Sequence, residues 1–301
     1  MFSSESEIRK KIRTFRIRNR LQRPYRCLTA GARALPDFMI IGAMKAGTTS
    51  LFQYLSKHPD LRISVPKEVH FFDGGKNPRV DTFAKGEYWY RSHFPLKREL
   101  SSNTKVYEAS PVYIFNPLAP KRIFDTIPNV KLILLLRNPT ERAVSHYQHG
   151  ARFNWDDLPF YEALLAEEER LKPVIEAQDY KSRTFIEYSY KSRGLYKQQI
   201  ERYLEYFPRE QMLILDSKDL FIRTEETVRR VFDFVGVDSQ FQIDDFTTAN
   251  SAPNKQKFEP HVYEYLNNYF EPHNRELYEL LGEDYGWNKS SIASSKQPTT
   301  N

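Results

Sequence analysis

The chain has 301 residues, 40% of them hydrophobic and 14% aromatic, which is ample material for a packed core and excludes an intrinsically disordered chain. No stretch approaches the ~20 uninterrupted apolar residues of a transmembrane helix, and the single cysteine, Cys27, excludes an intrachain disulfide and cysteine-rich zinc sites. The formal net charge is +6, but nine basic residues against Glu5 and Glu7 in the first thirty leave the rest of the chain at −1, so the body has no charge-driven claim on nucleic acid.

The N-terminus is charged throughout and has no apolar core of a secretory signal. Two readings stay open for residues 1–30: a solvated tail, or a basic amphipathic helix with Ile8, Ile12 and Phe15 on one side, making peripheral contact with an anionic membrane surface. The expected organisation is a basic tail over residues 1–34, one domain over 35–288 and a Ser/Thr/Lys/Pro-rich tail over 289–301. A cytoplasmic protein of a reducing compartment is expected.

Between the tails, strand and helix patterns alternate. Phe38 to Ile41 reads as a buried strand ending at Gly42, and Thr49 to Lys57 as a helix. Arg62–Val65 and Lys105–Glu108 are short strand candidates. Val130–Leu136 is the clearest strand, bounded by Pro128-Asn129 and by Arg137-Asn138-Pro139. Helices are predicted over Thr140–Gly150, Tyr161–Leu171, Leu195–Phe207, Thr224–Val235 and Phe258–Leu281, with a further strand over Gln211–Asp216. This order predicts an α/β fold: a central, mainly parallel sheet flanked by helices in three P-loop-like layers. Ligands of such sheets sit beyond the carboxyl ends of the strands.

The first strand ends in Gly42-Ala43-Met44-Lys45-Ala46-Gly47-Thr48-Thr49-Ser50. Two glycines frame a turn into a helix N-terminus, where successive backbone N–H groups converge on one anion. A nucleoside triphosphatase places Lys directly after the second glycine. Here that position is Thr48, and the lysine lies inside the loop as Lys45. The Leu132–Leu136 strand ends in Arg137 and not in an acidic Mg²⁺ partner, so a kinase mechanism lacks two of its parts. Arg137 at that strand end and Ser145 on the following helix form a second candidate anion clamp. Loop and clamp together imply a ligand with two separated phosphate groups.

These two blocks, Gly42 to Leu51 and Leu136 to Tyr147, resemble the donor-binding motifs of sulfotransferases that use 3′-phosphoadenosine 5′-phosphosulfate (PAPS). The resemblance runs over most of Pro36 to Trp287. It implies that Lys45, Ala46, Gly47, Thr48, Thr49 and Ser50 take the 5′-phosphosulfate, that Arg137 and Ser145 take the 3′-phosphate, and that 3′-phosphoadenosine 5′-phosphate is the product, with no metal. The segment Asn254 to Pro260 resembles the family's loop over the 3′-phosphate, making Lys255 and Lys257 candidate donor contacts, although the family's glycine between them is missing.

On the acceptor side, Lys67-Glu68-Val69-His70-Phe71-Phe72-Asp73 resembles the heparan-sulfate-type branch. There the glutamate acts as the catalytic base, which by resemblance is Glu68, with His70 and Asp73 close by. The chemistry agrees, since an attacking hydroxyl must lose a proton to a carboxylate. Lys45 would stabilise charge on the bridging oxygen. Alternation in an extended segment would put Glu68 and His70 on one face, with Phe71 and Phe72 in the core. Glu108 is expected as an acceptor contact or second carboxylate. Ala109 stands where glycosaminoglycan-modifying members carry a lysine, a departure that counts against a heparan-like acceptor. A cysteine pair and membrane anchor of animal members have no counterpart here, as in bacterial relatives. His146 and His149, three apart on a helix, are expected as a surface pair.

The expected function is transfer of a sulfuryl group from PAPS to an acceptor hydroxyl on a glycan, glycolipid or other hydroxylated metabolite, by in-line displacement. The alternatives are a P-loop kinase and a non-catalytic nucleotide-binding scaffold at a membrane surface.

Overall fold

The computed structural model describes residues 22–246 and 257–287. Lys255, residues 1–21 and all of the expected C-terminal tail lie outside them; residues 22–34, expected as tail, instead pack on the domain, with Arg26 Nε donating to Ser92 O at 2.7 Å and Ala30, Arg33 and Ala34 buried. Five strands form one sheet: β1 (Phe38–Gly42), β2 (Leu61–Ile63), β3 (Lys105–Ala109), β4 (Lys131–Leu136) and β5 (Met212–Asp216). Their spatial order is β2-β3-β1-β4-β5, and every neighbouring pair is parallel. The α/β expectation is met.

A parallel sheet covered on both faces needs strands that are apolar on both faces. In β1 all five residues are buried, and in β4 all but Lys131. Each fully buried Leu or Ile of β4 contributes about 1.5–3 kcal/mol relative to exposure. The acid in β3 is Glu108, and it is as buried as its neighbours.

The long helices are α1 (Thr48–Leu55), α4 (Pro139–Ala151), α5 (Phe160–Glu176), α7 (Tyr196–Leu204), α9 (Thr224–Val235) and α10 (Pro260–Leu281). The start of α4 follows from local chemistry: the Asn138 side chain accepts from the amides of Thr140 and Glu141, and Pro139 occupies the first helical position. Four helices of eight residues or fewer were not predicted: α2 (Gly86–Arg91), α3 (Ala119–Thr126), α6 (Arg183–Glu187) and α8 (Ser217–Ile222). At one or two turns they are too short to display a 3.6-residue period.

A second apolar cluster, separate from the sheet core, joins α4, α5 and α10 through Ala143, Phe160, Leu164, Leu266 and Phe270. The strand order reverses about β1, whose end at Gly42 lies beside Leu134 of β4. This switch point is where open α/β sheets bind ligands. Gly42 is required there by crowding: a Cβ would fall 2.3 Å from Ile114 Cγ2.

Candidate active site

The loop from β1 to α1 turns on two left-handed residues, Lys45 at φ +73 and Gly47 at φ +92. Gly47 suits this conformation, and a Cβ there would also meet the Phe221 ring at 2.9 Å. Lys45 adopts it despite its side chain. The loop is fastened by Ala43 N–H to Leu135 O at 2.8 Å, Ala46 N–H to Ala43 O at 3.1 Å, and Arg137 Nη1 to Lys45 O at 3.0 Å. Alternating hand in such a loop makes a concave anion-binding nest at the N-terminus of α1.

Around this nest the side-chain charge is positive. Among the described residues the Lys45 ammonium has neither a hydrogen bond nor an ion pair. Burial lowers its pKa, and repulsion from Arg152, Arg137 and Arg142 adds to the effect. Arg137 is held by Lys45 O and by Glu141, at 2.9 Å from Nη2. Glu141 is largely exposed, so this pair is weak and open to exchange. Ser145, half-buried, lies two turns along α4. His149 and Arg152 follow Ser145 at helical spacing on the same face.

Deeper in α4, Arg142 and His146 are fully buried. Arg142 Nη2 donates to Tyr190 O, while Arg142 Nε and Nη1 and both His146 ring nitrogens have no protein partner. His146 is held well below the ordinary imidazole value by burial and then by Arg142, Arg193 and Lys45. The surface-pair expectation for His146 and His149 is therefore corrected. His146 is in the interior and His149 half-buried, because α4 is wrapped on its inner side by Trp155 and Tyr190. A desolvated cationic group this poorly balanced fits an anionic ligand.

Residues 67–76 pass the nest on the other side. His70 Nδ1 lies 2.6 Å from Asp73 Oδ2, and His70 Nε2 lies 3.2 Å from Glu68 Oε2. Lys67 Nζ reaches Glu68 Oε1 at 3.2 Å, and Lys76 Nζ lies 3.6 Å from Glu68 Oε2. Burial pushes the Glu68 carboxyl up, but the hydrogen bond from His70 and the charges of Lys67, His70 and Lys76 outweigh it, leaving the value at about 2. Burial likewise opposes the charge on His70, but Asp73 and Glu68 raise it to about 9. At neutral pH this is an imidazolium between two carboxylates.

Glu68 and His70 meet as expected, but not by strand alternation. The segment is irregular, and His70 is left-handed at φ +53. Phe71 and Phe72 are core residues, as expected. Glu108 departs from expectation. It has no exposed surface, and its carboxylate takes hydroxyls from Tyr90, Ser110 and Tyr113. The ring-filled layer around Phe71, Phe72 and Tyr90 closes it off from any acceptor.

One side chain joins the halves by hydrogen bonds. Lys67 Nζ bridges Glu68 to Thr49 Oγ1, 3.1 Å away in the first turn of α1. The His149 imidazole, lowered by burial, also feels the cations Lys45 and Arg152 and the anion Glu68, so all three share one neighbourhood. Lys257 is exposed just before α10. Sequence reasoning missed Lys67, His149 and Arg152. The helical spacing 145, 149, 152 was the available signal for the last two.

A model of the sulfotransferase domain matches residues 35–289. The chain belongs to the sulfotransferase family. The heparan sulfate glucosamine 3-O-sulfotransferase 6 of Mus musculus is 31% identical, over 85% of this chain and 75% of that protein. The membrane-associated sulfotransferase kil1 of Dictyostelium discoideum is 26% identical, over 88% of this chain and 70% of that protein. The crystal structure of a sulfotransferase from Alicyclobacillus acidocaldarius, 32% identical, superposes with a TM-score of 0.69, covering 85% of this chain and all of that one. The resemblance to the heparan-sulfate-type branch thus holds, and this sulfotransferase is a transferase that moves a sulfuryl group to an acceptor. Among the described residues, no helix of the sulfotransferase is long and apolar enough to cross a membrane.

Proposed function

We propose that the enzyme takes its sulfuryl group from PAPS and delivers it to a hydroxyl of a glycan or another hydroxylated metabolite, with Glu68 as general base. PAPS supplies an activated sulfuryl group on a phosphate, and the residues on both sides of the cleft suit it. The nest of residues 45–50 takes the phosphosulfate end, while Arg137 and Ser145, with Lys257 and Lys255, take the 3′-phosphate. Glu68 receives the acceptor's proton as the acceptor oxygen bonds to sulfur. Lys45 stabilises the negative charge left on the bridging oxygen when the S–O bond breaks. A carboxylate held at about 2 is ionised at every working pH. Its weakness as a base suits a proton that departs late, after bonding to sulfur has acidified it. His70, fixed by Asp73, keeps Glu68 oriented.

The observation that carries this reading is Lys67 Nζ joining Glu68 Oε1 to Thr49 Oγ1 at the start of α1, which sets the carboxylate beside the nest that holds Lys45. The test is transfer of labelled sulfate from PAPS to a panel of glycans and small hydroxylated acceptors. Transfer by wild type that is lost in Lys45→Ala supports the reading, whereas equal activity of the two refutes the role of Lys45. The basic segment 1–30 is read as an address or membrane tether. Arg26 donates to Ser92 O and Ala30 is buried, so the test deletes residues 1–21 alone; turnover should be unchanged, and a loss would make that segment part of the site.

A further inference from the structure

Glu108 is the buried acid that the reaction above does not use. Its carboxylate sits in β3, one strand from the nest, and its Oε1 takes two hydroxyl protons, from Ser110 Oγ at 2.6 Å and from Tyr113 Oη at 2.8 Å. Its Oε2 takes the hydroxyl of Tyr90. The same two hydroxyl oxygens face backbone amides of the acidic segment. Tyr113 Oη receives Phe71 N–H at 3.0 Å, and Ser110 Oγ receives His70 N–H at 3.4 Å.

An amide N–H can only donate, so both hydroxyl oxygens must accept from it. Each hydroxyl has one proton, and that proton must then point at Glu108 Oε1. With Glu108 ionised its oxygens can only accept, so the Ser110 and Tyr113 hydroxyls donate to Oε1 and their oxygens are left to accept the two amides. On the other side, Thr82 Oγ1 donates to His70 O at 2.5 Å. His70 is thus gripped at its amide and its carbonyl in a left-handed conformation that a β-unbranched, non-glycine residue holds only at a cost.

We propose that Glu108 is a positioning residue: by fixing the protons of Ser110 and Tyr113 it anchors the amides of His70 and Phe71, and so sets the His70 imidazole between Glu68 and Asp73. The proposal rests on the reading of Glu68, His70 and Asp73 as the proton-handling group. It also explains why the acid in a buried strand has hydroxyl donors on both oxygens.

The test compares Glu108→Gln, Glu108→Leu and Tyr113→Phe. Gln keeps a carbonyl oxygen at the Oε1 position and can turn its amide toward Tyr90, so it preserves the two bonds that matter. Leu removes them. Three quantities are measured: the His70 titration by NMR on ¹⁵N-histidine protein, with His70→Gln assigning the signal; the turnover number; and the affinity for 3′-phosphoadenosine 5′-phosphate by calorimetry. In wild type the His70 midpoint is raised to about 9, with Glu68, Asp73, Glu108 and Lys76 the titratable groups acting on it. Glu108→Gln should keep wild-type turnover and shift the midpoint less than Glu108→Leu does, since it removes the charge that Glu108 presents to His70 but keeps the bonds. Tyr113→Phe should lower the midpoint by about one pH unit and turnover about tenfold, with nucleotide affinity within about twofold of wild type. A His70 midpoint unmoved in Tyr113→Phe overturns the proposal, as does damage in Glu108→Gln equal to that in Glu108→Leu. Should Glu108→Leu not fold, Tyr113→Phe and Glu108→Gln decide the matter. A midpoint that moves while turnover does not would uphold the positioning role and instead refute Glu68 as the base.

Discussion

The two walls of the cleft handle charge in opposite ways. On the donor side, Lys45, Arg137 and Arg152 gather around a nest of amides, with largely exposed Glu141 on Arg137. On the acceptor side, Glu68, His70, Asp73, Lys67 and Lys76 alternate in sign, and each carboxylate meets a cation. The first wall is incomplete without an anion, and its protein-only state carries repulsion that a ligand relieves. The second wall is complete in itself. On the proposed function, one wall binds the donor and the other holds the proton-accepting carboxylate in a fixed orientation and charge state.

Charge removal on the open wall should therefore cost most. Lys45→Ala is expected to lower turnover by about 10²–10³-fold, the scale on which one stabiliser of developing charge acts, read from labelled-sulfate transfer. Glu68→Gln should come next, at about 10²-fold in turnover, with 3′-phosphoadenosine 5′-phosphate affinity intact. Equal losses in turnover and nucleotide affinity would erase the distinction between the walls. Arg137→Ala should weaken nucleotide binding about tenfold or more, because it removes both a cation and the tether to Lys45 O, measured by calorimetry.

The closed wall should show itself in stability against pH. His70 has a folded-state value near 9, above the ordinary 6.5. Its contribution is therefore fully present below about 6.5 and fades as pH rises through 9. Chemical denaturation of wild type should show this decline, and His70→Gln should flatten it. Glu68 has the opposite sign. Its contribution is present above about 4.5 and lost as pH falls toward 2. The smallest effect belongs to Glu141→Ala, within about 0.5 kcal/mol by thermal melting, since an exposed i,i+4 pair adds little.

Much of this was legible in the sequence. The unbroken apolar runs of β1 and β4 announced a sheet buried on both faces, and the displaced lysine separated the loop from a kinase loop. The contacts among Glu68, His70 and Asp73 follow from short-range spacing around one turn. What escaped was tertiary. Nothing local distinguishes a glutamate that faces a substrate from Glu108, whose partners Tyr90 and Tyr113 come from separate segments. His146 looks like a surface residue until Trp155 and Tyr190 are packed over it. The left-handed turn at His70 depends on amide acceptors forty residues away.

Gly42 has a consequence for how this protein can change. With Ile114 where its first side-chain carbon would go, position 42 has no neutral neighbour in sequence space. A lineage, or a library, that puts even alanine there must shrink residue 114 in the same step, so the mouth of the cleft can be remodelled only by paired substitutions.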